Sequence, residues 1–159
     1  MFIDDLRKKL RAISARDAAV VVGWAVTLTL LTILVEYVKP MPLGATSTRF
    51  DTLELAIILV TSLVVGAVLL DPVKILYGFI AATTLSVVMS VIFSSLYDLY
   101  VLGLGEYFSA LTPGWEWEWV AWLAFLRIFK MAFPAALILV FAGGMAGGIA
   151  GDFLWPHRD

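Results

Sequence analysis

Residues 75–97 read ILYGFIAATTLSVVMSVIFSSLY, 23 consecutive positions without Asp, Glu, Lys, Arg, His or Pro. As an α-helix this stretch is about 35 Å long, and the hydrocarbon core of a bilayer is about 30 Å thick. A soluble domain has no place for a helix that is apolar on every face, so the stretch predicts a membrane span. Asp71-Pro72 stands just before it, an N-cap residue followed by proline at the first helical position.

Three more runs of the same kind lie outward from this one. Ala18–Val35 has 18 residues, Leu55–Leu70 has 16, and Met131–Gly151 has 21 with one internal proline, Pro134. Thr52 and Leu53 lengthen the second run enough to cross. Start signals repeat as well: Ser14 and Asp17, and Asp51 and Glu54, have the spacing of a capping box. The expected fold class is all-α: an integral membrane four-helix bundle with spans at about 18–38, 52–70, 73–97 and 131–151 in one transmembrane domain, 1–159. The first span reads as an uncleaved anchor, because Glu36-Tyr37-Val38-Lys39-Pro40 follows it in place of a small-x-small cleavage site.

The composition agrees. Of the 159 residues, 62% are hydrophobic and 15% charged, against roughly 45–50% and 25% in soluble domains. No cysteine is present and the single histidine is His157, so disulfides, thiolate catalysis, Cys-ligated metals and bis-histidine haem are excluded for this chain alone. A net charge of −2 without a basic field speaks against nucleic acid as a partner. No catalytic constellation, metal set or cofactor loop is found, so none is expected. Asp51 and Glu54 beside Arg49 are the nearest approach to a lipid-phosphate enzyme's acids, but helix starts carry this pattern routinely.

Two segments flank the spans. Ile3, Leu6, Leu10 and Ile13 recur at helical spacing, which predicts an amphipathic cytoplasmic helix over 1–16 with Arg7, Lys8, Lys9 and Arg11 contacting the membrane surface. Residues 113–130, with Thr112-Pro113 as start signal, predict a Trp-rich interfacial helix before the last span. Trp115, Trp117 and Trp119 form a candidate partner surface there. Counting Lys and Arg gives seven on the side of the N-terminus and four on the other, which predicts both termini in the cytoplasm. The expected location is the plasma membrane of a prokaryote.

Within the spans, two patterns stand out. Gly143, Gly147 and Gly151 recur every four residues, as do Gly144 and Gly148, a spacing that lets two helix backbones approach closely. Thr83, Ser86, Ser90 and Ser94 share one face of the third span and are a candidate polar path; Thr29, Thr32 and Glu36 make a shorter stripe on the first. None of the four runs contains an ionisable group. Glu36, Asp51, Glu54, Asp98 and Glu106 are expected at the outer ends, and Asp71 and Asp152 at the inner ends, as caps or solvated loop residues. The functional expectation is a non-catalytic structural or accessory subunit of a larger membrane complex, in contact with lipid and with other membrane subunits or copies of itself. The alternatives are a small homo-oligomeric channel or transporter using the hydroxyl face, and a lipid-modifying membrane enzyme.

Overall fold

The computed structural model describes residues 14–39 and 49–154. Arg7, Lys8, Lys9, Arg11 and the amphipathic segment before Ser14, as well as His157, lie outside the described residues. Every regular element among the described residues is helical: α1 (Ala15–Ile33), a π turn (Leu34–Val38), α2 (Thr52–Leu69), α3 (Pro72–Tyr100), α4 (Leu104–Leu111), α5 (Glu116–Ala132) and α6 (Ala135–Leu154). Four helices, Ala15–Val38 (α1 with its π turn), α2, α3 and α6, are long and apolar enough to cross a membrane.

Local chemistry sets the starts. Ser14 Oγ accepts from the Asp17 N–H at 3.1 Å while the Asp17 carboxylate accepts from the Ser14 N–H at 3.2 Å. The Asp51 N–H donates to Glu54 Oε2 at 2.6 Å before α2. Asp71 Oδ1 accepts from the Val73 N–H at 2.8 Å, with Pro72 opening α3. Each contact satisfies a helix-end donor that has no intrahelical acceptor. Thr112-Pro113 behaves differently from its expectation. Thr112 closes α4, its hydroxyl donating to the Phe108 carbonyl, and α5 begins only at Glu116, after a turn through Gly114 at φ +85°. The last long helix starts at Ala135 and not at Met131, since Pro134 has no N–H and Phe133, in extended conformation, separates α5 from α6.

Paired contacts fix the directions. Asp17 meets Lys74 at one end of α1, and Tyr37 meets Ser94 and Asp98 at the other, so α1 and α3 run parallel. A Cβ built on Gly143 would meet Leu59 and Ser62, one on Gly147 would meet Leu63, and one on Gly151 would meet Ala67. Both sequences advance four residues at a time, so α2 and α6 are parallel as well, with backbones touching. Trp24, Leu28, Ile58, Val65, Leu69, Ile75, Ala82 and Val140 form the core between these pairs. The opposite faces keep Leu30, Val60, Val64, Ile80, Ile92 and Ile138 exposed. Apolar surface of this extent finds its low-energy surroundings in lipid rather than water.

Candidate functional site

The site begins where α1 changes its winding. Leu34–Val38 follow a π turn, with one extra residue per hydrogen-bonded ring, and carry Glu36 and Tyr37 against the C-terminal third of α3. About 28 Å of helix separates Glu36 from Asp17 at the other end of α1. Ser94 Oγ donates to Glu36 Oε2 at 2.9 Å. Tyr37 Oη donates to Asp98 Oδ1 at 3.1 Å, its ring lying 4.4 Å from that of Tyr97. Arg127 reaches in from α5. Its guanidinium contacts the Asp98 carboxylate directly and places Nε 3.3 Å from Glu36 Oε1. The Asp98 side chain is 1% exposed and that of Glu36 6%, whereas Arg127 keeps 43%. Three segments far apart in sequence are thus tied by one clasp of two acids and one base.

This clasp corrects the expectation that Glu36 and Asp98 are caps or solvated. The helices outrun the charge-free stretches: Ala15–Val38 includes Glu36 and Pro72–Tyr100 includes Asp98. Neither acid caps a helix start. A signal for the clasp was present in Arg127, the one arginine inside the apolar stretch Trp119–Ala132, and in the pairs Glu36-Tyr37 and Tyr97-Asp98 at two span ends. An ionisable group at such a place costs several kcal/mol unless it has a partner, so each of the three implies another.

The hydroxyl face leads up to the clasp. Ser86, Ser90 and Ser94 are buried and Thr83 is half-buried. Thr83 Oγ1 donates to the Phe79 carbonyl at 2.7 Å, Ser94 bonds Glu36, and Ser90 Oγ is buried without a partner. Thr83 and Ser86 also line a cavity of about 40 Å³ with Thr32, Ile58, Ile128 and Val140. That volume holds a water or two. Toward the N-terminal end of α3 from it, Trp24, Val65, Leu69 and Ile75 close the interior, where Trp24 Nε1 donates to Ser62 Oγ at 3.3 Å.

Comparison with protein-family models, curated proteins and solved structures found no match.

The remaining expected residues are placed as follows. Gly143, Gly147 and Gly151 lie against α2, while Gly144 and Gly148 face Ile75 of α3. Trp115, Trp117 and Trp119 are exposed, and Trp122, Phe125, Phe129 and Phe133 continue the aromatic face in stacked steps of 5.3–5.9 Å. Asp51 and Glu54 both pair with Lys39, and the hydrogen bond to Asp51, then that to Glu54, raises the Lys39 ammonium pKa. At the start of α5 the Gly114 N–H donates to Glu116 Oε1 at 3.0 Å and holds that carboxyl below its usual range. Among the described residues no group of three or more acids or histidines stands close enough to hold a metal ion. Along the N-terminal halves of α1 and α3 runs an open groove of about 610 Å³, lined by Val21, Gly78, Ala81, Thr84, Leu85 and Val88, with the Asp17–Lys74 pair at 2.8 Å on its rim.

Proposed function

We propose that this chain is a small integral membrane protein serving as a non-catalytic subunit of a larger membrane complex, with both termini on the cytoplasmic side of a prokaryotic plasma membrane. The observation that carries the reading is the groove between α1 and α3. Ala81 and Thr84 are exposed and give α3 a shallow, small-residue surface there, and nothing of the described chain fills it. Close approach over small residues is how helices associate in lipid, where the hydrophobic effect offers no drive. The charges support the same reading, because Glu36, Asp98 and Arg127 are engaged with one another and Asp51 and Glu54 with Lys39. A conducting path on the hydroxyl face is disfavoured by the apolar closure at Trp24 and Ile75.

The test is purification from native membranes in mild detergent at endogenous expression, with the mass and stoichiometry of the eluted complex measured. The reading expects a complex with a second kind of chain in fixed ratio, and its loss in Ala81→Phe, which fills the groove from an exposed position. A monomer or a pure homo-oligomer of the wild type would contradict it.

A further inference from the structure

We infer that the outer clasp is a proton-binding site, and that at neutral pH its proton sits on Glu36. The first argument is the charge count. The ionisable groups that meet in the clasp are Glu36 and Tyr37 from the π turn, Asp98 from α3 and Arg127 from α5. The cations nearest in sequence do not join them. Lys39 is engaged by Asp51 and Glu54, and Lys130 is exposed on α5. With both carboxyls ionised the clasp carries one uncompensated negative charge, and its two acids are almost wholly buried. An uncompensated charge in such surroundings is removed most readily by protonation.

The second argument assigns the proton. Asp98 has what a carboxylate needs: the Arg127 guanidinium directly against it and the Tyr37 hydroxyl donating at 3.1 Å. Glu36 is served less well. Oε2 accepts from Ser94, while buried Oε1 has the Arg127 Nε at 3.3 Å as an ion-pair contact but accepts no hydrogen bond. Of two acids sharing one cation, the one with the more distant guanidinium and fewer donors is the one whose protonation costs less.

A third observation is independent of the acids. Ser90 Oγ, fully buried and also without a partner, lies one turn inward of Ser94 on the same face of α3. A protonated carboxyl is a donor as well as an acceptor, and so is a serine hydroxyl. A protonated Glu36 offers the stripe a donor where an ionised one offers only acceptors. The proposal concerns the clasp alone and stands whatever partner fills the groove.

Infrared spectroscopy of the full chain in lipid nanodiscs at neutral pH tests it. The expected result is a carboxylic-acid C=O band that moves in D₂O, moves again when glutamate is labelled with ¹³C at the side-chain carboxyl, and is lost in Glu36→Gln. Gln keeps the acceptor for Ser94, so that variant retains the local contact. Labelling needs no variant and decides the matter even if Glu36→Gln does not fold. Absence of the band in the wild type overturns the inference. So does a band that shifts with ¹³C-aspartate instead, or one that persists in folded Glu36→Gln.

Discussion

Replacing Gly147 by alanine should cost more than its single methyl group suggests. A Cβ at this position would overlap the Leu63 carbonyl and come within 2.9 Å of Leu63 Cα. Carbon atoms rest at about 3.5–4.0 Å, so α6 must retreat from α2 by about 1 Å. The obstacle is backbone and has no rotamer to relieve it. A radial gap of about 0.5–1 Å forfeits roughly a quarter to a half of each dispersion contact, and it opens along the whole interface. Overpacking a core costs about 1–3 kcal/mol where side chains can adjust, so about 3 kcal/mol is expected here. At about 2–4 °C per kcal/mol for a chain of this size, the thermal midpoint falls by roughly 6–12 °C. Gly23→Ala is the control: nothing lies within 4 Å of its new Cβ, and the change gains roughly 0.5–1 kcal/mol in helix entropy. Gly66→Ala, which strikes the Gly144 carbonyl and lies 2.9 Å from the Gly148 nitrogen, should match Gly147→Ala. The assay is thermal unfolding by circular dichroism of all three variants in one detergent. Gly147→Ala within a degree of Gly23→Ala would refute the close backbone contact.

Three other perturbations probe the polar contacts. Arg127→Met leaves the Asp98 carboxylate without its cation and should cost about 1–3 kcal/mol in thermal stability, below the 3–5 kcal/mol of a wholly buried break because Arg127 is 43% exposed; adding Asp98→Asn should recover much of the loss. Trp24→Phe removes a buried donor to Ser62, which keeps its own bond to the Ile58 carbonyl at 2.7 Å, so the cost is one hydrogen bond plus lost ring contacts, about 1–3 kcal/mol by the same assay. The raised Lys39 ammonium contributes stability that is complete below its ordinary pKa of 10.5 and is lost as pH climbs through the higher folded value. A denaturant midpoint followed upward from neutral pH should therefore show no loss from this contact until pH passes about 10, and Lys39→Met should remove that alkaline component.

Much of the fold was legible because the bilayer leaves so few solutions. An apolar run such as Ile75–Tyr97 must be helical, and Ser14, Asp51 and Asp71 announce their helices by contacts within three residues. Signals of that range survive in sequence. The small helix Leu104–Leu111 was not foreseen, since it follows Gly103 at φ +69° with no capping side chain. The clasp was missed for the opposite reason: its members are 62 and 29 residues apart along the chain, and reading each acid against its own helix gave each a sufficient local role. Only the parallel packing of α1 on α3, and the return of α5 along α3, turns three separate charges into one cluster. The glycine rows lie between these cases. Their spacing suits close helix contact, but which helix each row meets depends on tertiary structure: Gly143, Gly147 and Gly151 meet α2, while Gly144 and Gly148 face Ile75 of α3.

Single-cysteine labelling in intact cells tests the membrane arrangement most directly, and the chain has no cysteine of its own to interfere. Ser109→Cys on α4 and Asp152→Cys near the end of α6 are both exposed positions at opposite ends of the long helices. The account predicts that an impermeant maleimide added outside labels Ser109→Cys at once and Asp152→Cys only after the membrane is opened. Labelling of both from the outside, or of Asp152→Cys alone, would contradict it.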